Sequence, residues 1–314
     1  MPDVPPPPGA CARLKKNPVA VVAILLLAFI VLVAILGPFL YRVDPHATSR
    51  EQYLPPSVRH FFGTDNNGRD AFARVLEGAR ISLLVGFSGA LISLFVGTGY
   101  GLVSGYSGGR LDGMMMRLVE ILYAIPRLII LILFTFIFDQ HFKTWLSNLT
   151  WKLAFGKTVL LSGPDLVGYS KIIILVVTLG LIEWLTMARI VRGQVLSLKS
   201  LQFVTAARAL GQSHTRIILR HLLPNIAGII IIYLTLTIPA VILDESFLSF
   251  LGLGVQAPQA SWGSLLSDGA QVINPVKSYW WLLLFPALVM SVTLLALNFL
   301  GDALRDALDP RSRR

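Results

Sequence analysis

Two uninterrupted apolar runs constrain the fold of this chain more than any other feature. The first, Pro18 to Leu40, contains no charged residue, and the second, Ile81 to Val103, lies in an uncharged stretch between Arg80 and Arg110. A helix needs roughly 20 apolar residues to cross about 30 Å of hydrocarbon, because backbone N–H and C=O groups cannot be left unpaired in lipid. Both runs are long enough, so the sequence predicts a membrane-spanning protein.

Four further apolar segments bring the number of predicted spans to six. The composition agrees, because 54% hydrophobic residues, 14% charged residues and a mean hydropathy of +0.69 exclude an ordinary soluble domain of 314 residues. We therefore expect an all-α polytopic membrane protein with six transmembrane helices. The additional spans are Leu118–Phe138, Ile172–Ala188, Ile226–Leu243 and Trp280–Leu300.

The distribution of lysine and arginine predicts the orientation of the chain, since cytoplasmic loops retain positive charge. One set of segments holds 15 Lys and Arg against 5 Asp and Glu, and the alternate set holds 10 against 10. Both termini are therefore expected in the cytoplasm. The basic set is 1–17, 104–117, 189–223 and 301–314, and the other set is 41–80, 139–168 and 244–280.

These boundaries divide the chain into a basic, proline-rich tail at 1–17 and a transmembrane domain at 18–314. Within that domain we predict an external segment at 41–80 and an external cap of short interfacial or re-entrant helices at 244–280. The net charge of +10 lies largely in short loops beside apolar spans. Such charge anchors loops to the lipid bilayer, so we expect no nucleic-acid partner.

Small residues recur at four-residue intervals along the second span. This spacing places them on one helical face and allows another helix to approach closely, which predicts a helix-packing surface. The residues are Gly89, Ser93, Gly97, Gly101 and Gly105.

Ionisable residues inside predicted spans are the next feature, because charges in a bilayer are costly and are functional candidates. Glu120 and Arg127 lie seven residues apart in the third span and share a helical face, and Glu183 lies in the fourth. One interpretation is a structural ion pair of Arg127 with Glu183 or Glu120. The other is that these groups line a translocation cavity and contact charged groups of the cargo.

The segment from Arg189 to Pro224 is basic and amphipathic. It holds six Lys and Arg residues without an acidic one, and Gly211 interrupts its helical pattern. This pattern predicts a helix-turn-helix surface on which another protein can dock, with Pro224 beginning the fifth span. The alternative is an amphipathic loop lying on anionic lipid.

Catalytic and metal-binding patterns are not apparent. Cys11 is the only cysteine, so neither an intrachain disulfide nor a cysteine metal cluster is possible. The five histidines are dispersed or lie on the basic segment, and no Ser/His/Asp arrangement is readable. We expect no metal site and no enzyme activity of this chain.

Several motifs carry a family resemblance. Ala206-Ala207, three residues, Gly211, eleven residues and Leu223-Pro224 resemble the "EAA" coupling motif of ABC importer permeases. From about residue 17 onward the chain resembles the C-type permease subunit of dipeptide/oligopeptide ABC importers. The further motifs are Phe-Gly-Thr-Asp and Gly-Arg-Asp within 62–70, Met-Ala-Arg-Ile-Val-Arg-Gly at 187–193, Glu-Ser-Phe-Leu-Ser-Phe-Leu-Gly-Leu-Gly at 245–254 and Gly-Asp-Ala-Leu-Arg-Asp-Ala-Leu-Asp-Pro at 301–310.

The resemblance implies a type I ABC importer permease in the bacterial plasma (inner) membrane. Its implied partners are a homologous second permease, two ATP-binding subunits that bind ATP and Mg²⁺, and an external peptide-binding protein; this chain itself would bind no cofactor. Thr205 replaces the family's usual glutamate and His221 its common isoleucine, so small-residue packing is expected at the ATPase contact. The coupling residues implied are Thr205, Ala206, Ala207, Arg208, Gly211, His221, Leu223 and Pro224.

The implied cargo is an oligopeptide, which the long segment between the third and fourth spans favours. The same machinery could instead import dipeptides, nickel, glutathione or peptide antibiotics. A secondary transporter or a channel is a more distant alternative, and it would not need a coupling loop.

Overall fold

The computed structural model describes residues 10–155, 163–273 and 277–308, and most of them are helical. The tail predicted at 1–17 is therefore described only from Ala10 onward. The helices are α1 (Ala10–Lys16), α2 (Pro18–Leu40), α3 (Ala71–Ser107), α4 (Gly109–Ala124), α5 (Arg127–Phe155), α6 (Gly163–Leu198), α7 (Gln202–Ala209), α8 (His214–Ile217), a π-helical turn (Ile218–Leu222), α9 (Leu223–Phe250), α10 (Trp262–Gln271) and α11 (Trp281–Leu308).

Six helical segments of the described chain are long and apolar enough to cross a membrane, which confirms the predicted number of spans. Asn17 begins the first of them, because its side chain accepts hydrogen bonds from the backbone N–H groups of Val19 and Ala20. The six segments are Pro18–Leu40, Ala71–Ser107, Arg127–Trp145, Tyr169–Leu198, His214–Phe250 and Trp281–Leu308.

The predicted third span, Leu118–Phe138, is wrong at its beginning. The chain breaks between α4 and α5, and Ile125 has an extended backbone with φ −83° and ψ 130°. Pro126 causes this break, since a proline disfavours helical geometry in the residue before it. Glu120 and Arg127 therefore lie on different helices and do not share a face.

The predicted fifth span is wrong at both ends. One continuous helical segment runs from His214 to Phe250, so Pro224 lies within it instead of beginning it. The π-helical turn Ile218–Leu222 directly precedes the first turn of α9, where a proline without an N–H is tolerated. At the other end, residues 244–250 belong to α9, which shortens the predicted cap to the loop after Phe250 and α10.

Two further boundaries also move. Helix α6 continues to Leu198, so the predicted loop at 189–223 is reduced to the chain between that residue and His214. Helix α3 begins at Ala71, inside the predicted external segment at 41–80, because Asp70 caps it by accepting a hydrogen bond from the N–H of Ala73 at 2.9 Å.

Helix α3 lies at the centre of the bundle and runs parallel to α6. The backbones approach so closely that a Cβ atom on Gly97 would lie 2.6 Å from Cβ of Met187, and one on Gly105 would lie 2.8 Å from Cβ of Val195. Only residues with very small side chains fit at such positions. All five small residues of the sequence pattern, Gly89, Ser93, Gly97, Gly101 and Gly105, are buried on α3.

Helix α9 packs antiparallel on another side of α3, where Ser82 donates a hydrogen bond to the buried carboxylate of Glu245 at 3.0 Å. Helices α2 and α11 complete the bundle. The bundle thus has two ends: the α7 end, with the C-termini of α3 and α6, and the α10 end, with the chain at 41–70.

Gly97 and Gly99 offer a direct test of the α3–α6 contact. Replacing Gly97 by leucine should lower the free energy of unfolding by about 1–3 kcal/mol, because the added atoms overlap α6. Gly99 has no atom within 4 Å of a built Cβ, so Gly99→Leu should change stability by less than about 1 kcal/mol. Thermal unfolding of the detergent-solubilised variants measures both, and equal losses would contradict the proposed packing.

Candidate functional site

Helix α7 is a short, well-terminated helix at one end of the bundle. Gly211 ends it with φ +74°, a left-handed conformation that glycine adopts without strain. The N–H of Gly211 donates to the carbonyl of Arg208 at 2.9 Å, and the N–H of Gln212 donates to that of Ala207 at 3.1 Å. This pair of bonds is a Schellman motif, which satisfies the last carbonyls of the helix.

The two faces of α7 differ sharply in burial. Val204 and Ala207 are buried in an apolar cluster that includes Val191 of α6 and Ile226 of α9. The opposite face is exposed and carries Ala206 between larger apolar side chains. The exposed members of the predicted coupling set on α7 are Thr205, Ala206 and Arg208, and their exposed apolar neighbours are Phe203 and Leu210, with 38% and 80% exposure.

Polar contacts fix the chain around α7. Arg208 lies over the ring of Tyr106 at 5.1 Å, and the hydroxyl of Tyr106 is 2.8 Å from Nδ1 of His214. Nε2 of His221 lies 2.8 Å from the side-chain oxygen of Gln212. These contacts tie the α7–α8 connection to the C-terminus of α3 and to the start of the long helix.

The remaining predicted coupling residues have local roles in the structure. Thr205 donates its hydroxyl proton to the carbonyl of Gln202 at 2.9 Å, so its side chain is satisfied within α7. Leu223 is half-buried, and Pro224 is exposed in the first turn of α9.

An ion pair that the sequence analysis missed connects α4 to α6 at the α7 end. Arg192 donates two hydrogen bonds to Asp112, at 2.6 and 2.7 Å, and Ser104 donates a third at 2.5 Å. The hydrogen bond from Arg192 lowers the pKa of the Asp112 carboxyl. The only available signal was that Asp112 is the single acidic residue in the basic segment 104–117.

Three charged side chains from three helices meet within the membrane-spanning part of the bundle. The guanidinium of Arg127, at the start of α5, contacts the carboxylates of Glu183 on α6 and Asp244 on α9. We call these residues the ion triad. The structure brings Arg127 and Glu183 together, whereas Glu120 lies exposed on α4. Asp244 was missed because the predicted fifth span ended one residue before it.

Two cavities lie along the side of α6 that faces away from α3, and the smaller one adjoins the triad. One, of about 210 Å³, is lined by Tyr123, Arg127, Glu183 and Thr186 among others. The second, of about 560 Å³, has Arg189 in its lining and continues towards α9 and α11. Its other polar lining residues are Gln194, Asn225, Tyr233 and Arg305.

Groups suited to metal binding are lacking in the described part of the chain, where no three His, Cys, Asp or Glu side chains come together. This arrangement supports binding of other molecules. The exposed face of α7 with its small residue can contact another protein, and the ion triad presents a polar surface with more negative than positive charge within the spans.

Comparison with known proteins identifies the family. The family described as the binding-protein-dependent transport system inner membrane component matches residues 97–314, and the N-terminal TM domain of oligopeptide transport permease C matches residues 9–56. The chain belongs to this family of transport permeases. It is accordingly a multi-pass protein of the bacterial inner membrane, and its resemblance to the peptide-importer permeases is confirmed.

Individual relatives align over nearly the whole chain. The dipeptide transport system permease protein DppC of Bacillus subtilis is 45% identical over 97% of this chain and 86% of the relative. The oligopeptide transport system permease protein OppC of Escherichia coli K12 is 43% identical over 96% and 90%. A chain of the inward-facing MetNI methionine ABC transporter matches with a TM-score of 0.52 and 16% identity, over 74% of this chain and 94% of that one, which shows the ABC permease fold.

The ion triad predicts that removing one of its charges destabilises the protein more than removing all three. Replacing Arg127 by methionine leaves two carboxylates unpaired and should cost about 2 kcal/mol, less than the roughly 3–5 kcal/mol of fully buried pairs because the Arg127 side chain is 42% exposed. The triple variant Arg127→Met, Glu183→Gln, Asp244→Asn should recover most of the loss. Thermal unfolding measures each, with Glu120→Gln as control; a triple variant less stable than the single one would contradict the triad.

Proposed function

We propose that this chain is one of two permease subunits in an ATP-driven importer of peptides. It would form half of the translocation pathway together with a homologous second permease. Two cytoplasmic ATP-binding subunits would bind ATP and Mg²⁺ and supply the energy, while this chain binds no cofactor and catalyses no reaction. An external peptide-binding protein would deliver the cargo.

The observation that carries this proposal is the division of α7 into a buried and an exposed face. Ala206 gives the exposed face a small side chain, so another protein can approach the helix backbone closely. Phe203 and Leu210 flank it with apolar surface, and Thr205 offers no charge. This surface suits a groove that accepts a short helix by shape, rather than a charged contact.

Movement of α7 would reach the spans through its buried face. Val204 and Ala207 share an apolar cluster with Val191 and Ile226, which belong to two different spanning helices. Packed apolar cores shift as units, because they do not deform continuously. Closure of the ATP-binding pair on α7 would therefore displace α6 and α9 relative to the rest of the bundle and alternate the access of the pathway.

The orientation follows from the same arrangement. The α7 end carries Lys199, Arg208 and the described parts of both termini, and the positive-inside rule assigns this end to the cytoplasm. The α10 end, with the chain at 41–70, would then face the binding protein outside.

The cargo is proposed from the relatives, whose names specify dipeptide and oligopeptide transport. Glutathione, peptide antibiotics and nickel would use the same machinery and are not distinguished by the fold. A secondary transporter or channel is not favoured, because the family is one of binding-protein-dependent systems.

Coupling through α7 predicts a strong effect of a bulky residue at its exposed face. Ala206→Trp should reduce ATP-driven peptide uptake at least tenfold, because the indole blocks close approach of the ATP-binding subunit. Stability of the permease should change by less than about 0.5 kcal/mol, since Ala206 is exposed. Uptake into vesicles and copurification of the ATP-binding subunits measure the effect.

Val58→Trp is the matched control, because Val58 is 93% exposed at the opposite end of the bundle. It introduces the same side chain and should leave copurification of the ATP-binding subunits unchanged. Normal uptake by Ala206→Trp, or equal copurification of the ATP-binding subunits with both variants, would exclude α7 as the coupling element.

The orientation predicts a difference in chemical labelling. In a Cys11→Ser background, which removes the only native cysteine, a membrane-impermeant maleimide should label Val58→Cys in intact spheroplasts. Ala206→Cys should react only after permeabilisation. Labelling of Ala206→Cys from outside would reverse the proposed topology.

A further inference from the structure

We propose that one face of α6 is the surface that contacts the transported peptide, and that it holds the peptide in one direction. The α-ammonium group would lie at Glu183 and Asp244, and the α-carboxylate at Arg189. We call the residues Glu183, Thr186 and Arg189 the α6 strip. This inference rests on the proposed function as a peptide importer and specifies the site within it.

The burial pattern of α6 is the first argument. The side of α6 that faces α3 is buried and apolar, with Ala188, Val191 and Val195 below 2% exposure. On the other side, Thr186 and Arg189 are exposed within a spanning helix. Charged groups at this position are costly in hydrocarbon and face a protein interior or a water-filled cavity. The α6 strip is thus set to face the pathway rather than lipid.

The strip also contributes to the lining of both cavities. Thr186 lines the smaller cavity together with Glu183, and its hydroxyl is 2.5 Å from that of Tyr123. Arg189 lines the larger cavity, while its guanidinium lies 4.4 Å from the centre of the Tyr123 ring. A ligand that follows α6 from one cavity to the other passes all three strip residues.

Charge imbalance identifies the end that would hold the ammonium group. The ion triad contains two carboxylates and one guanidinium, so its formal charge is −1. Arg127 contacts Oε1 of Glu183 and Oδ2 of Asp244. The other two carboxylate oxygens receive no hydrogen bond from the part of the chain that the structure describes. A primary ammonium group would supply both the missing positive charge and the missing donors.

Arg189 provides the opposite charge at the other end of the strip. Its described contact is the ring of Tyr123, and no carboxylate of the described chain lies within ion-pair distance of it. A guanidinium placed over an aromatic ring keeps its N–H donors available in its plane. A carboxylate can accept two of these bonds side by side, which is the geometry that arginine recognises best.

The spacing of the strip fits a short peptide. Glu183 and Arg189 are six residues apart on α6, or about 9 Å along its axis at 1.5 Å per residue. An extended chain spans at most about 3.3–3.6 Å per residue, so about three residues cover this distance. Thr186 lies between the two ends and offers a hydroxyl to the peptide backbone.

The test measures peptide binding at the strip without requiring transport. In the assembled importer carrying Cys11→Ser and Thr186→Cys, trialanine without ATP should slow alkylation of the new cysteine. N-acetyl-trialanine and trialanine amide should each need about tenfold higher concentration for the same protection, because each lacks one charge-assisted hydrogen bond. Equal protection by all three peptides would overturn the proposal.

Charge variants assign each end. Glu183→Gln should abolish the difference between trialanine and its N-acetyl form but retain the effect of the amide, and Asp244→Asn serves if Glu183→Gln fails to fold. Arg189→Gln should do the reverse. Glu120→Gln and Arg110→Gln are matched controls, since both residues are exposed on α4. A reversed assignment, or the same change in the controls, would refute the orientation.

The same assembled importer distinguishes two further outcomes, lipid binding at Arg189 and peptide transport without binding at the strip. If phosphatidylglycerol vesicles slow alkylation relative to phosphatidylcholine vesicles without peptide, and Arg189→Gln removes that effect alone, Arg189 binds lipid phosphate and the proposal fails. If the importer takes up trialanine with ATP but shows no protection, the proposed function stands and the strip does not. Absence of ATP-driven uptake of any peptide would instead defeat the proposed function.

Discussion

The close approach of α3 and α6 is the contact on which the rest of the structure depends. Within lipid, apolar side chains gain nothing by exchanging one hydrocarbon neighbour for another, so association relies on tight van der Waals packing. The buried row from Gly89 to Gly105 permits that packing over four helical turns. Because α3 covers one side of α6, Thr186 and Arg189 are held on the other side.

Much of the fold was predictable because it follows from local chemistry. Six spans were readable from apolar length alone, and Gly211 was readable as the end of a helix. The break at Pro126 was missed because the residues on both sides of it are apolar. Hydropathy reports the apolar surroundings of a segment and does not report a change in backbone direction. Asp244 and Glu245 were placed outside the fifth span because two adjacent charged residues indicate the end of an apolar segment. Their charges are accommodated by Arg127 and Ser82, which come from distant parts of the chain.

The exposure of individual residues on α7 could not be predicted from the sequence. Ala206 and Ala207 are identical, adjacent residues of one motif, yet the first is exposed and the second is 4% exposed. Residue type alone does not distinguish them, because the rotation of α7 is set by the burial of Val204 and Ala207 in a cluster that includes residues of α6 and α9. Sequence patterns located the segment; only the fold determined which of its side chains another molecule can reach.

The uninterrupted segment from His214 to Phe250 has a mechanical consequence. Its 37 residues form a rod of about 55 Å at 1.5 Å per residue. It holds Leu222 and Ile226, which pack in the cluster beneath α7, and also Asp244 of the ion triad. A swing of about 5° around its midpoint would displace each tip by about 2 Å, more than a hydrogen bond tolerates. Binding of a ligand near Asp244 would then favour one position of α7. Holding α7 in that position would favour ligand binding by the same free energy.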